Sequence, residues 1–274
     1  MKVITLGTGS PIPDANRAGP ATLVRSGGRD FLFDCGRGVV MRLAGALAGP
    51  AQLHSVLLTH LHSDHVCDFN DVLTTRWVMS PEPNPLQVIG PAGTARFVER
   101  TLDMLRDDIG YRRAHHADLN WDPPVEVTEV SEGVVLDDGG VRIVAAPTDH
   151  APVHPTVGYR IEADDTAVVI AGDTIPCDGL TALCAGADVY VQTVIQRAIV
   201  ESIPMARLQD ILDYHSSVED AARTATEAGV STLVLTHVVP APAPGGEDAL
   251  VELARKAGFE GTVVVAADLT QIDT

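Results

Sequence analysis

The chain has 274 residues, of which 45% are hydrophobic and 20% charged, the balance of a soluble globular protein whose core suits one domain over 1–274. No run of residues reaches the apolar length needed to cross a bilayer, and Met1–Leu6 lacks the basic and apolar regions of a secretory signal, so the expectation is a cytoplasmic protein without membrane contact. A formal net charge of −18 makes nucleic acid an unlikely partner on this reading, because Arg106, Arg112 and Arg113 are interleaved with Asp107, Asp108 and Asp118.

Taken in order, Val3–Leu6 reads as a strand, followed by the glycine-containing loop Gly7–Pro13, which lacks the lysine and helix of a phosphate cradle. Ala21–Arg25 and Phe31–Phe33 read as strands paired across a Gly27-Gly28 turn. Asp34-Cys35-Gly36-Arg37-Gly38 leads into a helix from Val39 to about Leu47. Val56–Leu58 ends a buried strand and runs into Thr59-His60-Leu61-His62-Ser63-Asp64-His65. Residues leaving a strand at alternate positions point to one side, so His60 and His62 can share an ion. Asp64 and His65 lie beyond, on a loop able to curl toward a second ion. Neutral imidazoles with carboxylate suit zinc or a similar transition metal.

Further on, Asp71–Val78 has helical character and carries Trp77. Leu86–Ile89 is a strand and Thr94–Asp107 a helix, while 109–124, with His115, His116 and Trp121, receives no assignment. Strands around Val125–Val127, Val141–Ala145, Val157–Ile161, Ala167–Ala171, Val189–Val191, Thr232–Leu235 and Thr262–Ala266 then alternate with helices near Asp178–Ala185, Val218–Ala228 and Glu247–Ala257. The alternation gives an α/β class without linker or close repeat. Cys35, Cys67, Cys177 and Cys184 show no C-x-x-C pairing and read as small buried thiols, with Cys67 a neighbour of the metal stretch.

The stretch T-H-x-H-x-D-H resembles the signature of the metallo-β-lactamase superfamily, and the likeness extends over nearly the whole chain. It implies a four-layer αββα sandwich with metals at one edge. It also implies further donors at later strand ends, where the sequence places His150, Asp173 and His237. By position, one metal takes His60, His62 and His150, the other takes Asp64, His65 and His237, and Asp173 bridges them. Two Zn2+ are expected, with Mn2+ or Fe2+ as alternatives. A hydroxide held between them is the implied nucleophile in ester hydrolysis, and Asp64 both binds metal and aims it. The D-x-G-x-G beginning at Asp34 matches a family position that orients donors; a helix cap is its other reading.

Gly7-Thr8-Gly9-Ser10-Pro11, Gly158-Tyr159, Gly172-Asp173-Thr174 and Leu235-Thr236-His237 resemble the ribonuclease Z and arylsulfatase-like branch. A glutamate would stand at His62 in the flavodiiron branch, which disfavours oxygen or nitric oxide reduction. No basic insertion suggests a tRNA-gripping arm, Gln192 stands where the family's glutamate is expected, and Val238-Val239-Pro240 lacks an aromatic, basic ending. His150–Pro155, with His154 four residues after the donor, resembles the arylsulfatase-like side. His215 matches a substrate-facing histidine and is expected to donate a proton or contact an anion. The expected function is therefore hydrolysis of a small anionic or aromatic ester, an aryl sulfate or phosphodiester, with Trp77 as an apolar wall. Alternatives are a tRNA 3′ endonuclease, a lactonase or organophosphate hydrolase, or a metal-binding scaffold without turnover. A homodimer is compatible with the sequence.

Overall fold

A computed structural model describes residues 1–274. The strands alternate apolar residues to both faces, as strands buried on two sides must. Six of them, β1 (Lys2–Gly7), β2 (Ala21–Ser26), β3 (Arg29–Phe33), β4 (Leu53–Leu57), β5 (Leu86–Gly90) and β6 (Val125–Glu129), belong to one sheet. The second sheet contains β7 (Gly133–Asp138), β8 (Val141–Pro147), β9 (Val157–Ala163), β10 (Thr166–Ile170), β11 (Val189–Ile195), β12 (Thr232–Val239) and β13 (Thr262–Val265). The last strand, β14 (Thr270–Asp273), returns to the first sheet and pairs antiparallel with β1. Orders are β14-β1-β2-β3-β4-β5-β6 and β13-β12-β11-β10-β9-β8-β7.

Each sheet is mixed. β3 to β6 run parallel, as do β10 to β13, and the remaining pairings are antiparallel. Alternation sorts the side chains into three apolar layers. Val3, Phe31, Phe33, Ile143, Tyr159, Val168 and Val191 fill the space between the sheets. Ile4, Leu32, Val56 and Leu58 face the helices α1 (Val39–Gly45) and, beyond the short α2 (Ser63–Val66), α3 (Phe69–Met79). On the other side Val169, Tyr190, Leu233 and Leu235 pack under helices at Asp178–Cys184, Val218–Ala228 and Glu247–Lys256. Three apolar layers separate four structural ones, so the fold is the αββα sandwich.

Several elements differ from the sequence reading. The expected helix Thr94–Asp107 is two, α4 (Thr94–Met104) and α5 (Arg106–His115), joined at Leu105; α5 occupies part of the unassigned stretch. It buries no residue, so it carries no apolar stripe to read. The edge strands β7 and β14 are also unforeseen, and both have largely exposed faces. After β11, short helical turns fill Arg197–Asp213 before α9 (Val218–Ala228), with α6 (Asp178–Cys184), α7 (Arg197–Ser202) and α8 (Ala206–Gln209) preceding it and α10 (Glu247–Lys256) following. Ser217 caps α9 through a reciprocal box with Asp220. Trp77 is a core side chain, 2% exposed, whose Nε1 donates to the Trp121 carbonyl at 3.0 Å, so it walls no site. Cys67 is exposed.

Arg76 shows how the site-bearing strands are anchored. Its guanidinium, 5% exposed, donates to the carbonyls of Pro50 (2.9 Å), Leu53 (2.8 Å), Asn84 (3.0 Å) and Pro85 (2.9 Å), and to Asn84 Oδ1 (2.7 Å). It thereby ties α3 to the segments that feed β4 and β5. Arg76→Ala should destabilise the fold by about 2–4 kcal/mol, because buried carbonyls lose a charged donor. A lowered urea midpoint with unchanged slope is the expected readout.

Candidate metal centre

The donors converge where strand directions require. β4 ends just before His60, β8 just before His150, β10 just before Asp173, and His237 lies near the end of β12. All four strands present their carboxyl ends to one edge, where open α/β sheets place their ligands. His60, His62, His150 and Asp173 form one group, and Asp64, His65 and His237 a second; within each group the donor atoms lie within 4.8 Å of one another. His215 joins them from the turn before α9, with Nε2 3.3 Å from Asp173 Oδ2.

The orientation of the rings begins at Asp34. Its Oδ1 accepts from Thr59 N at 2.8 Å, and its Oδ2 accepts from Thr59 Oγ1 at 2.9 Å and from His65 Nδ1 at 2.8 Å. Thr59 Oγ1, having given its proton to Asp34, accepts from His60 Nδ1 at 3.0 Å. His150 Nδ1 donates to the Tyr214 carbonyl at 2.8 Å. Protons are thus fixed on the outer nitrogen of three rings, and their Nε2 lone pairs point inward. Gly172, at φ +67, allows the approach of Asp173: an added Cβ would meet the Thr59 side chain at 2.7 Å.

The geometry fits cations. Donors about 2.0–2.1 Å from a tetrahedral zinc stand about 3.3 Å apart. His62 Nδ1 is 3.1 Å from His60 Nε2 and 3.3 Å from His150 Nε2, and His237 Nε2 is 3.1 Å from Asp64 Oδ2. Asp173 Oδ2 stands between the groups, 3.8 Å from His60 and His150, 3.4 Å from His65 and 3.9 Å from His237. His65 Nε2, Asp173 Oδ1 and His237 Nδ1 are buried without hydrogen-bond partners. Buried polar atoms left alone in this way call for an ion or water.

Electrostatics point the same way. Burial holds His60 well below the ordinary imidazole value, lowers His62, and brings His150 to about 4, so these rings are neutral at pH 7. Burial opposes charge on His65, but Asp173 and Asp34 carry its pKa well above the usual range. Burial likewise opposes charge on Asp173 and Asp64, yet His65 and His237 hold the first well below the carboxylate range, and the His237 hydrogen bond lowers the second. Without another cation, a proton on His65 balances carboxylates that a metal would otherwise neutralise.

Beside the donors lies a cavity of about 220 Å³, walled on its apolar side by Pro11, Ile12, Leu208, Ile211, Tyr214 and Val239. The segment Arg197–Asp213 supplies Leu208 and Ile211 of that wall, and no periodic pattern announced it. His154, His115 and His116 are exposed and stand outside the donor groups. Gln192 is in neither donor group: it is fully buried, accepts from Tyr190 Oη at 2.5 Å and donates to the carbonyls of Thr193 at 2.7 Å and of Gly172, the residue before Asp173, at 3.4 Å. Thr193, on the opposite face of β11, is the residue beside Asp34 and His65.

Comparison with known proteins agrees with this architecture and corrects the substrate. The sequence profile of the beta-lactamase superfamily domain matches residues 29–238. A protein named ribonuclease Z from Mycolicibacterium paratuberculosis is 58% identical over 274 residues, covering 99% of this chain and 98% of its own. Ribonuclease Z of Mycobacterium bovis is 55% identical over 275 residues, covering 100% and 98%. The crystal structure of the short form of human tRNase Z shares the fold, with TM-score 0.73 and 22% identity over 100% of this chain and 99% of that one. Full-length relatives bearing the name of a ribonuclease overturn two expectations: a small aryl sulfate or similar ester as substrate, and nucleic acid as an unlikely partner. The physical reasons are plain. Net charge is an average that says nothing of the local field at a metal edge, and Gln192 does not face the site from which its chemistry was argued.

Asp34→Asn is the sharpest probe of ring orientation. It preserves shape but loses an acceptor shared by Thr59 and His65, and metal affinity should fall about 10–100-fold. Competition with a chromogenic chelator measures this, with unchanged far-UV circular dichroism as the control for folding.

Proposed function

Because the chain belongs to the ribonuclease Z branch of the metallo-β-lactamase superfamily, we propose that it is an endoribonuclease cleaving precursor tRNA at its 3′ side. It is a metal-dependent hydrolase of ester bonds, and the phosphodiester is the ester in question. The observation that carries the reading is identity of 58% sustained over 99% of the chain, so that likeness is not confined to the metal motif.

In this reading His60, His62 and His150 hold one ion, Asp64, His65 and His237 the other, and the Asp173 carboxylate lies between. Zinc suits neutral imidazoles and carboxylates at these spacings. Bound metals supply Lewis acidity toward the phosphoryl group and make water acidic enough to serve as nucleophile near neutral pH. The protein's own groups do the rest. Asp64 lines the cavity as well as belonging to a donor group, so its carboxylate is assigned to accept a hydrogen bond from the attacking water. His215 has an acceptor at each ring nitrogen, the Ile211 carbonyl 3.2 Å from Nδ1 and Asp173 Oδ2 3.3 Å from Nε2. The ring lines the cavity, within reach of a leaving ribose oxygen, and is assigned the role of its proton donor.

Three outcomes are expected. Wild-type protein should cut precursor tRNA at one site, and chelation should abolish cleavage until metal is restored. Turnover of aryl sulfates with no action on the precursor would refute the reading. His215→Ala should slow precursor cleavage by about 10²–10⁴, while an aryl diester, whose leaving group needs little protonation, should suffer less. Asp173→Ala should deplete both metal positions and His237→Ala mainly one, as elemental analysis would report.

A further inference from the structure

Pro11 and Ile12, which form part of the cavity wall, belong to an irregular loop between β1 and β2. Such a loop has no ladder to hold its shape, yet both of its ends are fastened by one side chain from the other end of the chain. Asp268, between β13 and β14 and with its side chain only 6% exposed, directs Oδ1 to Thr8, accepting from its N at 2.9 Å and its Oγ1 at 2.8 Å. Its Oδ2 accepts from Ala18 N at 2.7 Å and pairs with Arg42 Nε at 2.9 Å. The base of the loop is closed further by Gly9 N to the Ala18 carbonyl at 2.7 Å, and by Arg17 Nη1 to Thr8 Oγ1 at 2.9 Å. Asp268 is in neither donor group, so the metal chemistry does not account for it.

Ile12 is 48% exposed, an apolar side chain left open at the rim. It borders the catalytic cavity on one side and, on the other, a cleft of about 440 Å³ that includes Ser10, Arg17 and Pro240. A strand reaching from the metal side into that cleft would cross Ile12, whereas a small diester fits within the cavity of about 220 Å³.

We propose that Asp268 is a positioning residue: its carboxylate holds the Pro11–Ile12 wall in register with His62 and His237 and so governs how a long substrate seats. The effect on RNA rests on the function proposed above. Four donors converge on one buried carboxylate, and the charge matters as much as the shape. In Asp268→Asn the side chain keeps its outline, but an amide NH2 must face Thr8, Ala18 or Arg42, all of them donors.

The test is a double-mutant cycle with Asp268→Asn and Ile12→Ala, measured on precursor tRNA and on bis(p-nitrophenyl) phosphate, with Asp268→Glu as the conservative variant. Asp268→Asn should raise KM for the precursor about tenfold or more with a smaller change in kcat, while metal content and hydrolysis of the small diester stay near wild type. In the Ile12→Ala background the same change should add less than about twofold, and Asp268→Glu should recover part of the loss. Equal losses on both substrates, or additivity with Ile12→Ala, would overturn the proposal and leave Asp268 a stability residue. If wild-type protein cleaves no precursor tRNA, it is the RNA reading that fails, and hydrogen exchange then decides on the clamp. Faster exchange confined to residues 9–17 in Asp268→Asn sustains it, and unchanged exchange there overturns it.

Discussion

The carboxylate of Asp34 is the constraint on which the site geometry depends. Its residue sits at φ +60, a mildly strained left-handed conformation that glycine, asparagine and aspartate adopt more readily than other residues, and it is 4% exposed. That strain is sustained because both oxygens are used: one holds the backbone of Thr59, the other holds Thr59 Oγ1 and His65 Nδ1. Through Thr59 the same carboxylate sets His60. One side chain therefore fixes the ring tautomer of a donor in each group. The backbone around it is laced to match, with Asp34 N on the Leu57 carbonyl at 2.9 Å and Cys35 N on the His65 carbonyl at 2.7 Å.

The layered fold follows from period-two alternation. In Phe31-Leu32-Phe33 and Val168-Val169-Ile170 successive residues enter different apolar layers. Such runs were legible because both faces are buried and the whole run is apolar. The edge strands β7 and β14 were not legible for the converse reason, since half of each faces water and carries charge. Helix α5 buries no residue and so shows no apolar stripe, and exposed pairings such as Arg112 with Asp108 at 2.7 Å add to it only modestly. The turns of Arg197–Asp213 are too short for periodicity to register.

The candidate donors stood out in the sequence because a strand end is where a side chain can leave the core and still be rigidly placed. Their convergence came from the resemblance, since nothing in local sequence says that His150 and His62 meet. The roles around them were less legible. Gln192 and Thr193 adjoin in sequence, yet they face opposite sides of β11, and a one-residue choice of face moved the argument from the inter-sheet site to the helix layer. The substrate was misread because a summed charge has no position, whereas recognition is local.

The donor groups draw on both sheets. His60, His62, Asp64 and His65 follow β4 in one, and His150, Asp173 and His237 follow or end strands in the other. Asp64 and His237 meet across 173 residues of sequence. Ions seated there would act as cross-links as well as reagents, closing a loop whose entropy the unfolded chain otherwise keeps. Mechanically the sandwich then resembles a book clasped at one edge. Loss of metal would loosen that edge first and leave the opposite ends of the strands joined across the sandwich by the packing of the inter-sheet layer.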